Sequence, residues 1–209
     1  MLTIDPNLPA PLLPLAWLID TWEGYRLDLS AETPARLTTK IYAVEDKLRW
    51  ENTYQTGTST EEIIPGDSAR VGAEKIQAET GAPTVTETLE ITVTQTQPVP
   101  ENERQAPGEV QGFLEINSLN ENGESLREWV GVARGPQIQI QSLGGNQEAE
   151  KGVGRIRLIG LVGGELMWSE DRFSTRDYTE AVSQGRAMAE DATTSTAIAR
   201  LTRQEQQEA

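Results

Sequence analysis

Apolar and polar residues alternate along most of this chain with a period of two, the signature of strands that bury one face. In TVTETLEITVT (84–94), Val85, Leu89, Ile91 and Val93 share a face, threonines and Glu90 line the other, and Glu87 is the one polar residue on the apolar side. In QIQIQ (137–141) the alternation is strict; in GRIRLIGL (154–161) it runs through Ile156 and Leu158 and then becomes apolar on both faces. Further strands are expected at 23–29, 35–44, 47–58, 68–77, 110–116, 126–134, 165–171 and 196–203. Asn122-Gly123, Gly135-Pro136, Gly144-Gly145-Asn146 and Gly163-Gly164 supply the positive-φ positions that tight antiparallel connections require. About ten strands with one apolar face each must stack as two sheets or close on themselves, and closure removes the exposed edges. The pattern therefore predicts an all-β fold, a roughly ten-stranded antiparallel β-barrel.

A few stretches leave that pattern. The apolar run 9–19 is too short to span a bilayer and reads as a short helical plug or turn folded into the domain. QTQPVPENERQAPG (95–108) is proline-rich and polar and reads as a mobile loop, because strands of the same style resume after it. YTEAVSQGRAMAEDA (178–192) reads as a weakly patterned helix with Gly185 in its middle. The whole, 1–209, is expected to be one domain with an N-terminal lead at 1–14 and a frayed tail at 204–209.

Charge and composition narrow the function. The 209 residues carry 33 acidic against 18 basic side chains, a formal net charge of -15, so the field repels phosphate backbones and anionic headgroups and argues against nucleic acid or membrane partners. The plainest reading of that charge is solubility. Cysteine is absent, which excludes disulfides, thiolate metal sites and a cysteine nucleophile. Histidine is absent too, which removes the usual general base and the commonest metal ligand at once. No Lys or Arg precedes Arg26, so the basic flank of a signal peptide is missing and a cytoplasmic location is expected.

Neither a Ser/His/Asp triad nor a zinc site can be built from these residues, and no GxxxxGK[ST] loop is present. Val162-Gly163-Gly164-Glu165 reads as a hairpin turn, not as an anion nest. The carboxylate pairs Glu45-Asp46, Glu61-Glu62 and Glu170-Asp171 point to opposite faces of any strand that carries them, and read as solvated surface charges. No catalytic and no metal-binding residue is therefore expected. Trp17, Trp22, Trp50, Trp129 and Trp168 lie in or beside five strand-like segments, and core packing is their plain reading. The functional alternative is a pocket lined by Trp50, Trp129 and Trp168 together with Tyr42 and Tyr54.

LAWLIDTWEG (15–24), VGVARGP (130–136), GLVGGELMW (160–168) and ARLTR (199–203), in this order around alternating strands, resemble the nitrobindins, fatty-acid-binding-protein-like β-barrels. The resemblance covers both ends of the chain and reaches the middle only through the strand pattern. It implies a lipocalin-like barrel that holds haem b through a histidine near the C-terminus and acts on nitric oxide or peroxynitrite. Of the family's GxWxGxG motif only Trp22 and Gly24 remain; Asp20 and Arg26 stand where the outer glycines belong. Anchored on Ala199-Arg200-Leu201, the ligating histidine falls at or near Thr196, whose hydroxyl is a poor iron ligand. Tyr and Met serve as axial ligands elsewhere, which names Met188, Met167, Tyr178, Tyr42 and Tyr54 as replacements.

Three functions follow as expectations. The first is a non-catalytic barrel that has lost haem ligation and binds a small hydrophobic ligand, with no cofactor. The second is a haem-dependent peroxynitrite isomerase or nitric-oxide-binding protein with an unusual axial ligand. The third is a structural or interaction protein with a filled barrel. A homodimer is expected by analogy with the family.

Overall fold

The computed structural model describes residues 6–64, 66–78, 84–104, 109–145, 151–185 and 192–204. A 3₁₀ helix, Ala10–Leu18, leads into β1 (Asp20–Asp28), β2 (Thr33–Val44) and β3 (Lys47–Ser59). After a short helix α1 (Ala69–Glu74) and a three-residue strand β4 (Ile76–Ala78) come β5 (Thr84–Pro98), β6 (Val110–Leu119), β7 (Ser125–Arg134), β8 (Gln137–Ser142), β9 (Val153–Val162) and β10 (Glu165–Ser174). Helix α2 (Thr175–Ser183) and β11 (Thr193–Arg203) complete the order.

Strands β1, β2, β3 and β5 to β11 pair antiparallel with their neighbours, and β11 returns to β1 with Trp22 opposite Arg203 and Asp28 opposite Ala197. The result is a closed ten-stranded antiparallel barrel, with β4 an eleventh strand laid against the end of β3. Turn chemistry sets the registers. Gly163 and Gly164 both have positive φ and join β9 to β10 with Val162 opposite Glu165; Glu45, at φ 55°, does the same between β2 and β3.

Prolines decide the form of the entry helix. Pro9 precedes it, Pro11 lies in its first turn and Pro14 sits inside it, so an α-helical ladder would lack donors where it needs them. The segment tightens to 3₁₀ instead, with the Leu12 N–H donating to the Pro9 carbonyl at 2.9 Å. Leu12, Leu15, Trp17 and Leu18 are buried and plug one end of the barrel. Trp22 fastens the plug: its indole N–H donates to the Leu18 carbonyl at 2.8 Å, and Arg203 lies over its ring at 4.8 Å while donating to the Trp17 carbonyl and pairing with Asp20. Gly24 follows because β11 passes against it; a Cβ there would stand 2.0 Å from the Arg200 carbonyl oxygen.

The structure corrects four expectations. Most of the segment 68–77 is not strand, only 76–77 opening β4: Ser68 caps α1 by accepting from the Val71 N–H, and Gly72 lets α1 lie against the ring of Tyr25 on the outer wall. Within the expected loop 95–108, residues 95–98 continue β5 and pair with β6 as far as Pro98 opposite Val110; Glu101–Glu103 form a 3₁₀ turn, and 105–108 lie outside the described residues. The expected helix at 178–192 begins earlier, at Thr175, with Ser174 as its cap, and ends at Ser183; 186–191 lie outside the described residues. On β9 the faces are the reverse of those the aliphatic residues suggest. Leu158 is 48% exposed, whereas Arg157 is buried. The turn at 144–146 and the lead and tail are described only in part, as Asn146, 1–5 and 205–209 lie outside the described residues.

Candidate functional site: the charged end of the barrel interior

Inward-facing positions change character along the barrel axis, and they do so on four strands together. Reading away from the plugged end, β10 presents Leu166, Trp168 and Glu170, and β9 presents Ile159, Arg157 and Arg155. On β7 the order is Ala133, Trp129, Arg127, and on β5 it is Ile91, Leu89, Glu87. Half of the interior is thus a packed apolar core and the other half a cluster of charges.

The cluster is continuous. Asn52, on β3, receives hydrogen bonds at its amide oxygen from the Thr39 hydroxyl and the Trp50 indole, both at 2.7 Å, and its amide nitrogen donates to Glu87 Oε2 at 3.1 Å. The Ser118 hydroxyl donates to Glu87 Oε1, and the Arg157 guanidinium lies 3.7 Å from that oxygen. Arg157 donates twice to Glu170 Oε2, at 2.7 and 3.2 Å, while Arg155 donates to Oε1. The Arg157 guanidinium also lies over the rings of Trp168, at 4.9 Å, and Trp129, at 5.2 Å. Cross-strand register explains the strongest pair, since Arg157 sits directly opposite Glu170 in the β9–β10 ladder.

Electrostatics in this half follow from burial. Burial pushes the Glu170 carboxyl up, but Arg157 and Arg155 outweigh it and hold the group down at about 2. Burial works against the charged form of Arg157 too, and the carboxylates of Glu87 and Glu170 more than reverse it, so its pKa is raised. The Tyr54 phenol is pushed up by burial first and by the Glu87 carboxylate next, so it stays protonated well above neutral pH.

Within the cluster lies a cavity of about 110 Å³, lined by Arg26, Asn52, Tyr54, Glu87, Arg155, Arg157, Trp168 and Glu170, with Leu37 on one wall. Arg26 stands at its mouth, its guanidinium 5.4 Å from the centre of the Tyr54 ring and paired with Asp28 on the rim. A larger hollow, about 620 Å³, lies on the outer wall over β7 to β11, where Val132, Leu158, Met167 and Ile198 meet Gln111, Gln137 and Gln139. Another surface hollow, about 880 Å³, lies beside α1 among Glu23, Arg36, Arg70, Glu74, Glu165 and Arg203. Size favours these outer hollows, but it is at the inner cavity that buried charges with shifted pKa values meet, which makes the inner one the candidate site.

The structure sorts the residues singled out by sequence. Tyr54 and Trp168 line the cavity, and Trp129 stacks on Arg157 beside it. Trp50 is fully buried and reaches the cluster only through Asn52. Tyr42 is on the outer surface, 37% exposed, donating to Glu51 at 2.8 Å. Thr196 is buried at the bulge where β11 passes Glu170 and Asp171, and its hydroxyl donates to the Glu170 backbone carbonyl at 3.1 Å. Trp22 and Gly24 belong to the plugged end. Met167 lines the outer hollow, Tyr178 packs on Phe173 with ring centres 5.3 Å apart, and Met188 lies outside the described residues.

Several site residues escaped the sequence reading. Glu170 was expected as a solvated charge; it is 3% exposed, because β10 turns it inward beside two arginines while Asp171, across the bulge, accepts from Ser195 outside. Arg155 and Arg157 were passed over because Ile156 and Leu158 look like the buried set. The available signal was Glu87, the polar residue on an apolar strand face, which calls for a buried cation on another strand.

Compared with protein-family models and with curated proteins, the chain matches none. Among the described residues no group of three or more acidic side chains is placed to hold a metal ion.

Proposed function

We propose that this protein is a nitrobindin-like β-barrel without haem ligation, a non-catalytic binding protein that takes one small polar molecule at the charged end of its interior. The observation that carries the reading is the cavity of about 110 Å³ enclosed by Arg26, Tyr54, Arg155, Arg157, Glu87 and Glu170. At roughly 30 Å³ per water, such a space holds three or four waters or one compact molecule.

The residues of the barrel interior do not fit haem. Sites for cofactors of that size measure about 300–1,000 Å³, and the apolar half of the interior is filled by the plug and by Trp22, Trp50 and Trp129. The chain has no histidine, and the Thr196 hydroxyl is committed to a backbone carbonyl. Tyr54 is the one tyrosine on the cavity wall, and burial with the Glu87 carboxylate raises its phenol pKa, which works against the phenolate that iron ligation uses. The same filling turns the expected ligand from a hydrophobic molecule to a polar one.

Ferric haem titrated into the purified protein is expected to give only the broad absorption of free haem. A sharp Soret band saturating near one equivalent overturns the proposal. A second reading, a barrel whose charged half is a closed structural network, is favoured by the engagement of every carboxylate oxygen of Glu87 and Glu170. It predicts that no small polar compound raises the melting temperature, as a native-state ligand must.

A further inference from the structure

Each carboxylate oxygen of the charged cavity already has a donor, whereas buried indole donors beside it have no acceptor among the described residues. Both oxygens of Glu170 and both of Glu87 already receive hydrogen bonds from Arg155, Arg157, Ser118 and Asn52. The Asn52 amide oxygen receives two more, from Thr39 and Trp50. Three guanidiniums and two carboxylates line the cavity wall, and the third guanidinium, Arg26, is paired on the rim with Asp28 at 3.4 Å. The Tyr54 hydroxyl, protonated at neutral pH, makes no hydrogen bond among the described residues. The indole N–H of Trp168, which lines the cavity, and that of Trp129 are both buried without an acceptor among the described residues.

A site of this composition favours a ligand that accepts hydrogen bonds over a cation. Among acceptors a planar oxyanion is favoured over a neutral molecule, because guanidiniums bind it through paired, charge-assisted hydrogen bonds, which are the stronger kind. Resting on the binding reading above, we infer that the barrel's ligand is a small planar oxyanion, a monocarboxylate of formate to acetate size, held between Arg26 and the Tyr54 hydroxyl against Arg155 and Arg157. The cavity volume sets the upper size, and the packed core beneath Trp168 leaves no channel for an alkyl chain. Arg26 is the residue that answers the anion first. It is the rim guanidinium, partly exposed and, among the described residues, tied to Asp28 and the Tyr54 face, so it can turn inward without breaking the Arg157–Glu170 pair.

The test uses the ¹⁵N-labelled full chain, whose five tryptophans give five indole resonances, that of Trp168 being assigned by its loss in Trp168→Phe. Sodium formate, formamide and methylammonium chloride are titrated separately at constant ionic strength. Formate is expected to move the Trp168 resonance saturably, with formamide and methylammonium leaving it in place. Arg26→Gln is expected to weaken formate binding at least about tenfold, the loss of one charge-assisted contact, with an unchanged melting temperature. Formamide acting as well as formate overturns the oxyanion assignment and leaves the binding cavity standing. No movement with any of the three overturns both. Formate binding that survives Arg26→Gln undiminished overturns the assignment of the mouth.

Discussion

Replacing Glu170 by glutamine keeps the shape of the side chain and removes the negative charge that joins Arg155 to Arg157. The cost can be worked from the carboxyl itself, which is held at about 2 against 4.5 for a free glutamate, with a side chain only 4% exposed. A depression of that size corresponds to about 3 kcal/mol of stabilisation at neutral pH, the same scale as the 3–5 kcal/mol expected for breaking a buried ion pair. The folded pKa lies below the unfolded one. The contribution is therefore complete above about pH 5, falls by half near pH 3 and disappears as the pH approaches 2. Urea unfolding followed by tryptophan fluorescence, for wild type and Glu170→Gln side by side, measures the gap directly. Other carboxyls titrate in both chains and largely cancel in the difference. The expected gap is about 3 kcal/mol at pH 7, roughly half that near pH 3. A gap that stays constant down to pH 2.5 would refute the reasoning, since Glu170 would then stabilise the barrel by packing and not by charge.

Two further substitutions probe the plugged end. Trp22→Phe leaves the Leu18 carbonyl without its 2.8 Å donor and is expected to cost about 1–3 kcal/mol in urea unfolding, with amide exchange accelerating first in Ala10–Leu18. Gly24→Ala would place a methyl 2.0 Å from the Arg200 carbonyl oxygen, so β1 and β11 must part; a loss of about 3 kcal/mol or more is expected, read as a drop in melting temperature. An alanine there that leaves the melting temperature unchanged would contradict the close approach of the two strands.

The barrel was legible in the sequence because its strands announce themselves locally. QIQIQ and TVTETLEITVT alternate with the pleat, and the inward residues Ile138, Ile140, Leu89 and Ile91 are those that the alternation selects. Helix α1 was not legible, since its six residues carry no apolar stripe; it is held by tertiary contacts, with the Ala69 N–H on Glu165 and Arg200 on the Asp67 carbonyl. The extension of β5 through 95–98 was hidden by Pro98 and Pro100, but Pro98 lies at the strand's last position, where a missing N–H costs little. The site was hidden for a deeper reason. A period-two pattern says which residues share a face and assumes that the apolar face is the inner one. On β9 that assumption fails, because Glu170 on β10 and Glu87 on β5 make the interior the better place for Arg157.

Asp20, Arg26 and Thr196, singled out in the sequence, each take a definite place in the fold, and that placement bears on why the charged half exists. Asp20 pairs with Arg203 beneath the plug and reinforces the closed end. Arg26, at the other, brings a guanidinium to the mouth of the cavity. Thr196, where the resemblance puts an iron-ligating histidine, is buried against the backbone of Glu170, the residue that organises the ion cluster. A buried ion cluster adds little to stability over well-packed apolar residues of the same volume, and the plugged half shows that these strands can supply such residues. On the binding reading proposed above, arginines placed inside a chain with nearly twice as many acids as bases are accounted for by what they hold and not by what they stabilise.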